Sequence, residues 1–357
     1  MVRFFFFSLM NVCFMSSRFL LFLVLTFISL PACIVAQEQI HREQVVFWNV
    51  ENAFWPDDEP TLDDDEFTPQ GTRHWTQGRL RHKLLQLTRV LLAAGQGRAP
   101  MLVGLAEVEG DSVMHYWTRH TPLYDQHYEY IVGQGPDRRG IQTALLYQPS
   151  DFRLLQSDSY EVTLPAGTRP TRHILHAAGR VVSGDTLDVL VCHLPSRLGG
   201  ARQSQPARDA AHLRILQLAD SLTSVRQQPH VIVMGDMNDY PSARKAWWGS
   251  GYTNLMLPLQ KALRRHPSQV GSHKYQGEWG YLDQFIVNNS WAESSRMEHI
   301  QRPSCRFSDP RSFAPDFILI DDDSHLGHRP FRSYYGYQYE GGYSDHLPIV
   351  LDLTLVF

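Results

Sequence analysis

The sequence predicts an α/β protein in which β-sheets outweigh the helices that cover them. Short runs rich in Val, Ile, Leu and aromatics, bounded by Gly, Pro, Asp or Asn, recur along the chain as strand signals. Strong three-to-four spacing of apolar residues, the mark of a helix face, is much rarer. The two patterns do not alternate regularly, which disfavours a Rossmann or barrel arrangement and favours sheets with a few covering helices.

In chain order, strand signals lie at residues 44–48, 101–106, 141–147, 186–193, 230–235, 281–287 and 347–355. Helical spacing places Leu80, Leu84, Leu87 and Leu91 on one face of a helix over 76–94. It does the same for Ala211, Ile215, Leu218 and Leu222 over 207–225. With no repeat and no low-complexity linker, one domain over 43–356 is expected. The acidic run 57–66 reads as a solvated loop, and the irregular stretch 294–339 as a surface insertion.

The 357 residues are 43% hydrophobic and 20% charged, which suits a sizeable core and excludes disorder along most of the length. A formal charge of −4 gives no general attraction to polyanions, so nucleic-acid contact needs a local basic patch. Four cysteines are too few for a disulfide-built scaffold. Cys192, inside an apolar run, reads as a buried free thiol, although pairing with Cys305 stays open.

Residues 1–36 form a separate segment. Only Arg3 and Arg18 are charged there, an apolar run follows Arg18, and Ala36 offers a cleavage point: the anatomy of a secretory signal peptide. Export to the periplasm or the exterior is the expectation, with a retained membrane anchor or lipid attachment at Cys33 as alternatives. Removal would make the charge two units more negative.

The telling feature is polar groups placed where apolar strands end, since a sheet holds such groups rigidly. Val45-Val46-Phe47-Trp48 runs into Asn49, with Glu51 and Asn52 beyond. Leu105-Ala106 delivers Glu107; Val191-Cys192 delivers His193; Met234-Gly235 delivers Asp236 and then Asn238. Asp283 stands at the edge of Phe285-Ile286-Val287, and Asp345-His346 opens the final strand. Each alone has an ordinary reading as a turn former, cap or surface charge. Together they form a functional set.

Glu107, Asp236, Asp283 and Asp345 are hard oxygen ligands of the kind that Mg²⁺, Mn²⁺ or Ca²⁺ take. The Cys and His spacings of structural zinc are absent. Oxygen-bound Mg²⁺ beside histidines suits phosphoryl chemistry, in which the ion neutralises phosphate charge and side chains handle protons. Rival motifs fail. Gly342-Tyr343-Ser344-Asp345-His346 lacks the closing glycine of a nucleophile elbow, and Gly133-Gln134-Gly135 is followed by Pro136 rather than a helix.

Trp48-Asn49, Leu105-Ala106-Glu107, Gly235-Asp236-Met237-Asn238 and Ser344-Asp345-His346-Leu347-Pro348 resemble, in order, the signature blocks of the endonuclease/exonuclease/phosphatase superfamily. Deoxyribonuclease I, exonuclease III-type repair nucleases, bacterial sphingomyelinases and inositol-polyphosphate 5-phosphatases belong to it. The resemblance spans residues 45–355. It implies a four-layer α/β sandwich, with two packed mixed β-sheets flanked by helices as in deoxyribonuclease I, and divalent-metal phosphoester hydrolysis. By the same resemblance Glu107, Asn49 and Asp345 would serve the metal. Asp236 would activate water, Asn238 hold phosphate, His346 act beside the scissile phosphate with Asp283 orienting it, and His193 donate a hydrogen bond or a proton.

His193-Leu194-Pro195 departs from the tyrosine block of apurinic endonucleases, and Asp283-Gln284 lacks the histidine many relatives carry there. Arg138, Arg139, Arg197 and Arg202 are candidate phosphate contacts or plain loop charge. Among Lys274, Tyr275 and Trp279, an aromatic could stack on a base or lipid headgroup, or simply pack. A monomeric exported endonuclease is the preferred expectation, with no protein partner implied. Sphingomyelinase-like or inositol-phosphate hydrolysis is the alternative, and an inactive phosphate-ligand binding module the alternative of another class. The only candidate apolar docking hairpin, Ala246-Trp247-Trp248-Gly249, reads more simply as a packed helix end.

Overall fold

Period-two alternation in the strands decides the layering. On the first strand Val45 and Phe47 point to one side, and Val46, Trp48 and Val50 to the other; all are buried. A strand apolar on both faces needs cover on both, so it lies inside a sandwich.

The computed structural model describes residues 39–197, 199–242, 248–266, 268–297 and 304–357. The leader 1–36 with Cys33, and Ala246-Trp247 of the tryptophan segment, lie outside the described residues. Chain order gives β1 (Ile40–Ala53), α1 (Gln77–Ala94), β2 (Leu102–Val108), α2 (Gly110–His120), β3 (Glu129–Val132), β4 (Gln142–Tyr147), β5 (Phe152–Tyr160) and β6 (Ile174–Val181). There follow β7 (Thr186–His193), α3 (Gln205–Val225), β8 (His230–Asp236), β9 (Tyr252–Asn254), α4 (Leu257–Arg265), β10 (His273–Tyr275), β11 (Glu278–Gly280), β12 (Asp283–Asn288) and α5 (Asn289–Arg296). The last part holds β13 (Cys305–Phe307), β14 (Arg311–Ser312), β15 (Leu319–Asp321), β16 (His328–Pro330), β17 (Tyr334–Tyr335), β18 (Gln338–Tyr339) and β19 (Ile349–Val356).

One sheet has the order β13-β19-β1-β2-β4-β3, with β14 also on β19; the other has β5-β6-β7-β8-β12-β9. Both are mixed, since β1–β2 and β7–β8 are parallel and their other pairings antiparallel. Val45, Phe47, Val189, Val191, Ile232 and Met234 fill the space between them. On the outer face of the first sheet, Leu80, Leu84, Leu87 and Leu91 of α1 join Val113 and Trp117 of α2. Ala211, Ile215 and Leu218 of α3 cover the second sheet on Leu190, Cys192, Val231 and Val233. The result is the four-layer α/β sandwich. The sheets meet closely at Gly104, where a Cβ would stand 2.7 Å from the Met234 methyl.

Thr76 caps α1 by accepting the Arg79 backbone N–H at 3.2 Å, so that helix starts where its spacing predicts. The acidic run 57–66 is a largely exposed loop, with Asp64 buried within it, and Phe67 just beyond stacks on Phe54 with ring centroids 4.2 Å apart. The stretch 294–339 is not a mere surface insertion, because β13 and β14 extend the first sheet and Arg332 and Ser333 turn inward. Cys192 and Cys305 are free and buried. Among the described residues no helix is long and apolar enough to cross a membrane.

Candidate active site

Strand ends from both sheets meet at one end of the sandwich. In the second sheet, parallel β7 and β8 set His193 opposite Asp236, and antiparallel β12 sets Asp283 opposite Asp236. The three side chains therefore stand in a row on adjacent strands. In the first sheet, Asn49 pairs with Ala106, next to Glu107, and β19 brings His346 alongside β1.

Side-chain contacts join the two rows. The Asn49 amide nitrogen donates to Glu107 Oε1 and to Asp236 Oδ2, each at 3.1 Å. His193 Nε2 stands 3.8 Å from the same Glu107 oxygen and 3.7 Å from the same Asp236 oxygen. His346 Nδ1 lies 2.7 Å from Asp283 Oδ2, and its Nε2 lies 3.8 Å from Asp236 Oδ2. The Asn238 N–H donates to Asp236 Oδ1 at 2.8 Å, and its side-chain amide donates to the Leu194 carbonyl at 3.0 Å. The structure thus brings Asn49, Glu107, His193, Asp236, Asn238, Asp283 and His346 into one cluster.

Asp345 belongs to its rim. Its Oδ2 accepts from Arg332 Nη2 at 2.5 Å, and the same guanidinium reaches Glu51 at 3.3 Å. The backbone is strained here: Glu51 and Asn52 have φ of 53°, Glu107 66° and Asn238 48°. For residues with a Cβ this left-handed region costs free energy, and such strain gathers at functional sites. At Glu107 it coincides with a break in strand register that aims the carboxylate at Asn49.

Burial and charge divide the proton affinities. Burial pushes Asp236 up to about 6, with Asp283 adding to the rise and His346 opposing it. Burial alone would lower His346, but the Asp283 carboxylate and its hydrogen bond hold it well above the usual histidine range. His193 goes the other way, well below that range, through burial and the positive charges of Arg172 and Arg139. The cluster therefore holds a buried carboxylate raised to about 6, a protonated imidazole and a neutral one.

The donor set fits a hard divalent cation. Glu107 Oε1 and Asp236 Oδ2 both face the Asn49 amide, gathering hard oxygens around one shared point, and burial pushes the Cys192 thiol up, away from thiolate ligation. Glu107 would hold the ion, next to the Asp236 carboxylate. Asn49, expected to ligate it, uses its oxygen to accept the Glu51 N–H at 3.0 Å, so as placed it orients the two carboxylates. Asp345, also expected there, is engaged by Arg332.

The predicted basic contacts separate. Arg138 is paired with exposed Asp63 at 3.5 Å, Arg139 with Asp137 at 3.7 Å, and Arg197 lies over the Tyr240 ring at 5.2 Å. Arg202 is exposed ahead of α3, and no contact ties it to the cluster among the described residues.

Sequence reasoning missed Arg172, Lys83 and His273. Arg172 is buried just before β6, beside His193. Its Nη1 donates to Asp137 at 2.8 Å, while Nε and Nη2 have no partner among the described residues. The one signal was a charged residue at the mouth of an apolar run next to the His193 strand. Lys83, on the buried face of α1, donates to Ser333 Oγ at 2.5 Å and the Tyr343 carbonyl at 3.0 Å, under the Arg332–Asp345 pair. His273 sets its ring 4.6 Å from that of His346.

Solved structures share this architecture. An endonuclease/exonuclease/phosphatase family protein from Bacteroides thetaiotaomicron matches with a TM-score of 0.55 and 13% identity, over 89% of this chain and 97% of that one. D. rerio TDP2 complexed with a single-strand DNA product gives 0.52 and 17%, over 87% and 98%. A B. thetaiotaomicron mannosyl-6-phosphatase gives 0.52 and 12%, over 87% and 99%. No curated protein matches in sequence. The sequence model of the Endonuclease/Exonuclease/phosphatase family matches residues 44–355, and the chain belongs to that family, whose members hydrolyse phosphoesters with divalent metals.

Proposed function

We propose that the chain is a metal-dependent phosphoesterase in which Asp236 activates water, and that its substrate is a compact phosphoester. The observation that carries this is the unbroken line of contacts from Asp283 through His346 to Asp236, Asn49 and Glu107. A divalent ion held by Glu107, beside Asp236, would neutralise phosphate charge.

The chain's own groups supply the rest. Asp236, titrating at about 6, takes a proton from water near neutral pH. His346, kept protonated by Asp283, faces the phosphate, offsets its growing charge and returns a proton to the leaving oxygen. Neutral His193 adds a hydrogen-bonding group without charge repulsion toward the other imidazole. The water oxygen bonds to phosphorus, the ester P–O bond breaks, and an alcohol and a phosphate leave. This intact set argues against an inactive binding module.

A compact substrate is favoured because half of the basic track expected for a polymer faces carboxylates. Arg138 and Arg139 face Asp63 and Asp137, and the acidic loop bonds back onto the Arg138 carbonyl. The endonuclease reading keeps one specific support, Arg197 laid over Tyr240, a surface on which a nucleotide could stack. Solved structures of the fold include both a DNA-product complex and a sugar phosphatase, so substrate class is for experiment to decide. Sphingomyelin and inositol phosphates remain further arms. Export rests on the leader sequence alone, and N-terminal sequencing of protein recovered outside the cytoplasm tests it.

The test incubates chelated, then Mg²⁺- or Mn²⁺-restored protein with bis(p-nitrophenyl) phosphate, plasmid DNA, sphingomyelin vesicles and sugar or inositol phosphates. Metal-restored turnover of small esters with intact plasmid is expected. Plasmid nicking that is lost in Asp236→Asn would move the substrate to nucleic acid.

A further inference from the structure

Beside the catalytic cluster lies a second, unassigned cavity of about 250 Å³. Glu51, Asn52 and Asp345 form its inner wall, Arg73 and Arg332 flank it, and Tyr334 contributes an aromatic side. It adjoins the chemistry through two of these. The Asn52 N–H holds Glu107 Oε2 at 3.0 Å, and Asp345 precedes His346 in the chain.

The walls are built rather than incidental. Arg332 spans Glu51 and Asp345, and Glu51 also accepts the Ser333 N–H at 2.8 Å. Buried Lys83 supports the same segment from below. Arg73 bonds to the Gly336 carbonyl, pairs with Glu66 at 3.2 Å, and lies 5.2 Å from the Tyr334 ring centroid. The Tyr334 hydroxyl returns a bond to the Arg73 carbonyl at 2.8 Å. The β17–β18 hairpin thus borders the cavity opposite Glu51 and Asn52 of β1.

Its chemistry selects a ligand class. Two guanidiniums face two acidic side chains inside the cavity, and a second phosphate would stand against the Asp345 carboxylate. It is too polar for an acyl chain, whose entry would leave these groups unpaired. What remains is a neutral group that both donates and accepts at fixed positions, as a hydroxyl does: donating to carboxylate or carbonyl oxygen and accepting from guanidinium or amide. The space has room for one small ring.

We propose that this cavity binds the hydroxyl-rich alcohol portion of the substrate, a sugar or cyclitol, while the phosphate sits at Glu107, Asp236 and His346. The inference rests on the phosphoesterase reading and names its substrate class. A site that hydrogen-bonds hydroxyls rejects analogues lacking them far more strongly than an apolar pocket rejects a missing methylene.

The experiment measures kcat/KM with Mg²⁺ for two matched pairs: a hexose 6-phosphate against tetrahydropyranylmethyl phosphate, and inositol 1-phosphate against cyclohexyl phosphate. Bis(p-nitrophenyl) phosphate reports the chemistry alone. The wild type should favour a hydroxylated member on the order of 100-fold; whichever pair shows it identifies sugar or cyclitol. Arg73→Met and Asn52→Gly should shrink that ratio at least tenfold. Ratios near one in both pairs, or a ratio that both active variants keep, overturn the proposal while bis(p-nitrophenyl) phosphate turnover leaves the phosphoesterase reading standing. No turnover of any ester overturns both. Ring hydroxyls also improve the leaving alcohol, so the variants decide, and where one does not fold the other carries the test.

Discussion

Asp283 and His346 are separated by 63 residues in sequence, yet their side chains meet at 2.7 Å, across the interface of the two sheets. Asp283 enters on β12 of one sheet and His346 just ahead of β19 of the other. Their contact is therefore a product of the whole sandwich, and it holds the His346 imidazole well above the usual histidine range.

Asp283→Asn removes the charge that holds His346 up. In the wild type, activity should rise as Asp236 loses its proton, with an acid limb at or below about pH 6, since a bound cation favours the carboxylate. It should fall on the alkaline side as His346 loses its own. Because a raised histidine pKa is what Asp283 supplies, the variant's alkaline limb should move to lower pH, with kcat down roughly 10²- to 10⁴-fold. A pH–rate profile of both proteins checks this; an unmoved alkaline limb would contradict the pairing.

Arg172→Met should lower kcat/KM roughly 10- to 100-fold, the scale of one or two hydrogen bonds to a charged group. Its Nε and Nη2 are buried without a partner among the described residues, beside His193. The substitution also strands Asp137, so melting temperature should fall. Kinetics recorded far below that temperature separate the two effects. Full activity there would make Arg172 purely structural.

Gly235→Ala tests how the sheet aims Asp236. A Cβ there would stand 2.3 Å from the Cys192 carbonyl oxygen, a backbone atom of the neighbouring parallel strand that cannot swing aside. Destabilisation of about 1–3 kcal/mol or more is expected from urea titration, with loss of turnover in the fraction that folds. Wild-type stability would show that β7 and β8 are spaced differently.

Much of this was legible in the sequence, for a physical reason. Long strands apolar on both faces, such as 230–235, and the Leu80–Leu91 face of α1 announce themselves by composition and period. Their polar ends mark the site directly. The elements missed lack that signal. β5 carries polar residues along an exposed edge, and β6 contains Ala177-Ala178-Gly179, poor strand formers made into a strand by their neighbours. Arg332 and Lys83 were invisible, and Arg172 nearly so, because their place at the site depends on partners brought together only by folding. Arg332 sits in the stretch read as an insertion, and Lys83 lies under an apolar helix face where sequence suggests only packing.

The most direct test of the account is bis(p-nitrophenyl) phosphate turnover by wild type and by Asp236→Asn, each chelated with EDTA and then titrated with Mg²⁺. The account predicts a wild-type rate that vanishes on chelation and returns with saturable metal dependence, and a variant several orders of magnitude slower at every metal concentration. A chelated wild type that retains its full rate, or an Asp236→Asn variant as active as the wild type, would contradict it.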